Sequence, residues 1–383
     1  MAAAERRQRV EVADIFRLYG DAYSHSHRLS SVQRRAIKDI ERCRTAELGG
    51  HLEKCLQCGF ERPCYNSCRN RHCPKCQSLP KARWLEARKA ELLPVPYFHV
   101  VFTIPHELNP LALFNKKQVY ALLFQSVSKT LQAFGKKTLG GKIAATMILH
   151  TWDQRLNDHL HIHCAIPSFA LRATEGEPTG VHARENFLFP VKAMAVMFRG
   201  KFLAGLKRLQ AQGKIQVPPD FSSMVRSLYE KPWVVYAKPS FKGPHSVLDY
   251  IGRYTHRIAI SNERILSIEN HQVTFSYRDR QDSNKKKEMT LPAEEFIRRF
   301  LLHVLPSSFM KIRHIGFLSN KSKKKSLARC RDLLGAPEIK PAKKTSRELL
   351  KQLTGLDLDR CPRCAEGTMI LAGEISKPPF NSS

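Results

Sequence analysis

His161 and His163 stand one residue apart in the segment Asp-His-Leu-His-Ile-His-Cys-Ala-Ile-Pro, residues 158–167. On a strand, side chains i and i+2 point to the same face, so the two imidazoles can chelate one cation. His159 continues the alternation at the strand's beginning, as a third ligand or a hydrogen-bonding neighbour. Several imidazoles on one sheet face are costly to bury without a common partner. Further along, Tyr250 and Tyr254 occur in Asp-Tyr-Ile-Gly-Arg-Tyr-Thr-His-Arg, residues 249–257. On a helix, i and i+4 are neighbours, so both phenols can face the same cation, although such pairs also pack helices against sheets. A divalent metal that keeps positions open for phosphate oxygens, beside a tyrosine nucleophile, suits the cutting and rejoining of a phosphodiester. Arg253 and Arg257 flank the pair, and Arg257 falls on the tyrosine face, where it could clamp a phosphate bidentately.

The 383 residues suffice for two or three domains, and 42% hydrophobic content is too apolar for a disordered chain. Lys and Arg outnumber Asp and Glu by 64 to 34, a net charge of +30 that calls for a polyanionic partner or a strong solubility reason, with nucleic acid ahead of an anionic membrane as the partner. No apolar run approaches the ~20 residues of a spanning helix, and the first residues lack the apolar core of a signal peptide. The expectation is a soluble protein of a bacterial-type cytoplasm, associated with the nucleoid.

Without a secretory signal, closely spaced cysteines read as metal knuckles. Cys55 and Cys58, then Cys64 and Cys68, then His72, Cys73 and Cys76 have the spacing of tetrahedral zinc. The simplest four-thiolate site is Cys55, Cys58, Cys73 and Cys76. Cys68 with His72, and His51 or Cys64, are open as substitutes or as a second site. Such zinc usually folds a small domain, and the interleaved Arg62, Arg69, Arg71 and Lys75 suggest that the domain touches DNA phosphates. Cys43, Cys164 and Cys330 read as ordinary semi-buried residues, and Cys361 and Cys364 as a further small pair.

Apolar periodicity predicts helices over 31–48, 79–93, 116–134, 191–212 and 293–304, with a helix carrying the tyrosines after Gly243-Pro244. It predicts strands over 97–104, 144–151, 159–166 and 233–237, and a hairpin within 258–277. The order implies an α+β fold, a mainly antiparallel sheet with helices on one face, beside a small N-terminal zinc-binding domain. The expected division is 1–93 helical and zinc-binding, 94–313 catalytic, and 314–383 a basic, loosely folded C-terminal appendix.

Taken together, five segments carry a resemblance. They are 65–77 (Tyr-Asn-Ser-Cys-Arg-Asn-Arg-His-Cys-Pro-Lys-Cys-Gln), 97–105, 159–164, 249–262 and 294–306. The chain resembles, nearly end to end, the rolling-circle transposases of the insertion-sequence 91 type, relatives of other HUH endonucleases. The resemblance implies an N-terminal zinc region, HUH histidines at His161 and His163, and nucleophiles at Tyr250 and Tyr254. It implies metal-dependent nicking of single-stranded transposon ends with Mg²⁺ or Mn²⁺, a 5′-phosphotyrosine intermediate, and transfer to a target strand. The chain departs from the family in reading Pro167-Ser168-Phe169-Ala170 where a Gly-rich turn often follows the histidine strand. A sister group keeps one of the two tyrosines. A replication initiator or relaxase of the same chemistry, and a non-enzymatic zinc-dependent DNA-binding regulator, are the alternatives.

Overall fold

The computed structural model describes residues 10–238, 246–247, 252, 255, 258–279, 281–339 and 344–378. Tyr250, Arg253, Tyr254 and Arg257 lie outside the described residues.

The N-terminal part holds α1 (Val12–Ser26), α2 (Ser31–Glu41), the antiparallel pair β1 (Gly50–Cys55) and β2 (Glu61–Tyr65), and α3 (Ser78–Lys89). Ser30 caps α2 in a reciprocal box with Gln33. This helix is shorter than the predicted 31–48. Arg44 takes φ 60° and a 3₁₀ turn, Ala46–Leu48, precedes Gly49, so Cys43 leaves the helical ladder.

Next come β3 (Tyr97–Thr103), α4 (Asn109–Phe114), α5 (Lys116–Phe134), β4 (Lys142–Ile143), β5 (Ala145–Trp152) and β6 (Asp158–Pro167). They are followed by the hairpin β7 (Phe169–Arg172) and β8 (Thr179–His182), then α6 (Val191–Ala211), α7 (Phe221–Glu230) and β9 (Val234–Lys238). A second sheet, β10 (Ile265–Glu269), β11 (Gln272–Asp279) and β12 (Lys285–Pro292), leads into α8 (Ala293–Leu302). The chain finishes with β13 (Ile312–Ile315), α9 (Lys323–Leu334), α10 (Ser346–Thr354) and β14 (Met369–Ile375).

The main sheet has the order β13–β5–β6–β3–β9, every pair antiparallel, in the expected α+β class. Phe98, Val100 and Phe102 of β3, Met147 and Leu149 of β5, and Ile162 and Cys164 of β6 point to one face. There they meet Leu123, Val127 and Leu131 of α5 and Phe198, Phe202 and Leu206 of α6. The apolar stripes that made those helices legible are the ones buried. The other face is partly covered by Phe317 and by Leu327 of α9, against Tyr97, Ile148 and Ala165. Its remaining end carries the histidines.

The expected three-part division is crossed twice. Phe16 of α1 meets Phe300 of α8 edge to face at 5.3 Å, so the N-terminal helices share a core with β10–β12 and α8. At the other end β14 pairs with β1 from Gly50↔Ile375 to Cys55↔Met369. Residues 314–383 therefore do not form a separate appendix. Each terminal part thus completes its packing against a partner distant in sequence. Among the described residues no helix is long and apolar enough to cross a membrane.

Several histidines are structural. His303 is 2% exposed, its Nε2–H donating to the Leu156 carbonyl at 3.0 Å and its Nδ1 accepting from the Thr151 hydroxyl at 3.2 Å. Burial pushes its pKa down to about 4, and His72 down to about 3. An unfolded histidine titrates near 6.5. As pH falls below that value the unfolded chain takes up protons that the folded chain refuses, so stability present above pH ~6.5 is lost toward pH 4. The urea midpoint should fall between pH 7 and pH 5, and His303→Gln should flatten that dependence. An unchanged slope in the variant would show that His303 is not a source of it.

Candidate active site and cysteine clusters

The turn joining β5 to β6 sets the register of the site. Asp153 Oδ1 accepts from the backbone N–H of Arg155 and of Asn157, both at 2.8 Å, and Leu156 takes φ 64°. The turn pairs Trp152 with Asp158, and a one-residue shift of register between Trp152 and His150 then brings His150 opposite His161 and Ile148 opposite His163. Alternation then puts His150, His161 and His163 on the face away from α5 and α6.

The three imidazoles are buried, and their nitrogens all lie within 4.8 Å of one another. Nε2 of His161 stands 3.0 Å from Nε2 of His163. Two ligands about 2.1 Å from one ion, at the ~90° angle of an octahedral site, would be about 3 Å apart. The outer nitrogens are held. Nδ1–H of His161 donates to the His159 carbonyl at 2.8 Å, which leaves Nε2 with its lone pair. Nδ1 of His163 lies 2.9 Å from Nε2 of His99, and the tautomer that frees Nε2 of His163 has Nδ1 donating to His99. Burial pushes His99 down to about 4, so at neutral pH it is an uncharged acceptor. The donor set thus fits a divalent cation.

His150 was absent from the predicted ligands. It lies within the predicted strand 144–151, but only the pairing register shows that it faces His161. The predicted candidate His159 contributes its carbonyl to His161, while its half-buried ring lies 4.6 Å from the His161 ring, outside the converging trio. All four histidines line a cleft of about 280 Å³, with Trp152, Asp153, Arg155 and Asp279.

Described residues on either side of the tyrosines border this face. Val247 is buried with Ile148 and Ala165, two residues from His150 and His163 along their strands. At Gly252 a Cβ would come within 2.9 Å of the Leu85 side chain of α3. Thr255 lines a groove of about 800 Å³ with Trp84, Arg88, Trp152, Lys311 and Lys323. Arg88 lies 5.5 Å over the Trp84 ring and Lys311 Nζ 5.0 Å over Trp152, which also lines the histidine cleft.

The cysteines sort differently from the predicted set. Cys55 and Cys58 are not brought to Cys73 and Cys76. Cys68, Cys73 and Cys76 gather around Cys43, with Sγ–Sγ distances of 3.4 Å for Cys43–Cys76 and 3.6 Å for Cys68–Cys76. Zinc–sulfur bonds of about 2.3 Å in a tetrahedron give edges of about 3.8 Å, so the cluster fits zinc. Hydrogen bonds from Cys43, Cys68 and Cys73 pull Cys76 below the ordinary thiol range, while Cys43, Cys68 and Cys76 push Cys73 above it. A cation among these crowded sulfurs would let all four ionise. Cys43 looked isolated because its partners lie beyond the β1–β2 excursion. His72 is not with the sulfurs, since its Nε2 accepts from the Leu305 N–H at 3.3 Å. The Cys64 thiol donates to Glu53 at 3.4 Å. Cys55 and Cys58 lie instead beside Cys361 and Cys364.

Cys43→Ser should therefore lose about one zinc per chain and several kcal/mol of stability, out of the ~10–16 kcal/mol that a structural zinc supplies. Cys64→Ser and His72→Asn should keep their full zinc content. Metal analysis of the three variants checks this, and zinc retained in Cys43→Ser would refute the assignment.

Comparison with known proteins agrees with this geometry. Residues 15–104 match the family model "Transposase zinc-binding domain" and residues 144–326 the model "Putative transposase". The chain is 47% identical over 378 residues to "Putative transposase y4qJ" of Sinorhizobium fredii, covering 94% of each protein. It is 24% identical over 364 residues to the "Transposase for insertion sequence element IS801" of Pseudomonas savastanoi pv. phaseolicola, covering 91% of this chain and 85% of that one. No solved structure matches. With a zinc-fit cysteine cluster inside the first matched segment and the histidine trio inside the second, the chain belongs to the insertion-sequence 91 family of transposases, with the family's zinc-binding domain at its N-terminal end.

Proposed function

We propose that this transposase nicks single-stranded DNA at transposon ends and joins it to a target strand by rolling-circle transposition. Tyr250 and Tyr254 are the nucleophiles, and His161, His163 and His150 hold Mg²⁺ or Mn²⁺. The observation that carries this reading is the convergence of three buried imidazoles in one cleft, on the sheet face where Val247 packs. On helical spacing, Tyr250 and Tyr254 follow Val247 by three and seven residues, a stripe along one side.

The divalent cation, when bound, polarises the scissile phosphate and offsets charge that develops there. The phenol gives up its proton as its oxygen attacks phosphorus, and the bond to the 3′ oxygen breaks; that oxygen takes up a proton to become the 3′-hydroxyl, and the 5′ phosphate remains on the tyrosine. One phosphodiester replaces another, so attack by a target 3′-hydroxyl reverses the step without an external energy source. Arg253 and Arg257 supply fixed positive charge beside the phosphate. Two tyrosines allow two 5′ ends to be held during exchange. His99 and the His159 carbonyl keep the imidazoles in the ligating tautomer.

The groove beside the cleft suits a single strand. Trp84 and Trp152 line it beside Arg88, Lys311 and Lys323, and a bound strand would exchange the contacts of Arg88 and Lys311 with these rings, and of Arg88 and Lys323 with Glu91, for stacking of bases and pairing of phosphates. Trp84→Ala should weaken binding of a single-stranded oligonucleotide by about 1–3 kcal/mol, the range for loss of one stacked base. Fluorescence anisotropy measures this, and equal loss of affinity for a duplex would speak against a stacking role.

Cleavage itself is tested with labelled single-stranded transposon-end oligonucleotides and Mn²⁺. His161→Ala, His163→Ala and His150→Ala should each lower nicking by at least about 100-fold while DNA affinity persists, because phosphate contacts elsewhere carry binding. Tyr250→Phe should block first-strand cleavage, and Tyr254→Phe should permit a nick yet impair completed transposition. Mass spectrometry of the trapped adduct identifies the linked residue. A double Phe variant that still forms an adduct would remove both tyrosines from the chemistry, and a wild-type protein that binds but never forms one would make it a regulator.

A further inference from the structure

Cys361 and Cys364 play no part in the strand-cutting reading, and they lie outside the segment matched by the zinc-binding domain model. Pairing of β14 with β1 carries them to Cys55 and Cys58. Cys58 Sγ stands 3.6 Å from Cys361 Sγ, and Cys55 Sγ 3.8 Å from Cys364 Sγ. All four sulfurs lie within 4.8 Å of one another and none is in a disulfide. Edges of about 3.8 Å are those of a tetrahedron around zinc.

The surroundings are built for thiolates. Backbone N–H groups of Gln57 and Cys58 donate to Cys55 Sγ at 3.4 and 3.5 Å. In the opposite knuckle Arg363 N–H donates to Cys361 Sγ at 3.4 Å, and Gly367 N–H to Cys364 Sγ at 3.3 Å. Gly367 is required by space, since a Cβ there would stand 2.3 Å from Cys55 Sγ and 3.2 Å from Cys364 Sγ. The apolar contribution here is small. Met369 and the partly buried Phe60 are the non-cysteine members of the cluster around the sulfurs. A lobe with so little apolar burial needs another source of folding energy, and a four-thiolate metal site supplies one.

We propose that Cys55, Cys58, Cys361 and Cys364 bind a second structural zinc ion, distinct from the one among Cys43, Cys68, Cys73 and Cys76, which clasps the C-terminal strand to the N-terminal zinc region. The ligands come from two knuckles at opposite ends of the chain, so the site forms only after the intervening catalytic sheet has brought those ends together. The clasp also secures α10, where Arg347 pairs with both Glu53 of β1 and Asp359 of the second knuckle.

The test is metal analysis of the full-length protein purified without added metal. The double variant Cys361→Ser/Cys364→Ser should hold one zinc per chain fewer than wild type, as should Cys43→Ser, and the two losses should add. Hydrogen exchange should show β1 and β14 losing protection in the double variant while β3 and β6 keep theirs. Zinc content equal to wild type would overturn the proposal, as would iron in place of zinc at this site. If the double variant does not fold, wild type decides. Cys55, Cys58, Cys361 and Cys364 should resist alkylation until a chelator removes zinc, then become reactive together. Alkylation of Cys361 and Cys364 with no zinc released would refute the clasp.

Discussion

The pairing of β5 with β6 is the constraint on which the candidate active site depends. Side chains alternate with a period of two, so the register that turns Ile162 and Cys164 into the core also turns His161 and His163 out of it. A slip by one residue would press imidazoles against Phe198 and Phe202 and present isoleucine to the cleft. The apolar contacts with α5 and α6 make that slip costly. The closed turn at Asp153, together with the shift of register between Trp152 and His150, then fixes which residue of β5 faces His161. Core packing and metal geometry are two faces of one register, and the site inherits the stiffness of the sheet.

What surrounds the histidines keeps them ready for a cation. Burial disfavours the charged imidazolium, as the depressed pKa of His99 shows. Backbone and side-chain partners hold the outer nitrogens, so the inner ones converge without rearrangement. Around these imidazoles lies a strongly basic chain, with Arg88, Lys311 and Lys323 along the adjoining groove. Positive charge collects a polyanion without specificity, whereas the three imidazoles converge on a single point of the cleft. Affinity and chemistry can thus reside in different residues.

The terminal regions solve a different problem. Both are completed by elements remote in sequence, α8 against α1 and β14 against β1. Four cysteines converge in each of two places, one within the core shared by α1, α2 and α8 and one where only Phe60 and Met369 pack beside the sulfurs. Arg71, His72, Gln77 and Trp84 of the N-terminal part line the groove together with Thr255 and Trp152. The zinc region is therefore part of the wall of the groove rather than a tethered accessory.

Much of this was legible in the residues. Helix α5 spans the 116–134 stripe because Val119, Leu123, Val127 and Leu131 repeat at helical spacing, and β3, β5 and β6 follow their apolar runs to within a residue or two. The pair His161 and His163 needed only the alternation of a strand, and the family needed only its motifs. Tertiary structure decided whatever depends on contact between distant segments. His150 joined the site through register, Cys43 and Cys68 took the places expected for Cys55 and Cys58, and Cys361 and Cys364 found partners some 300 residues away by strand pairing. Periodicity describes the local chain, and spacing identifies ligands only when they are neighbours in sequence. Which sulfurs share a tetrahedron is settled by how the intervening chain folds, and no local pattern carries that information.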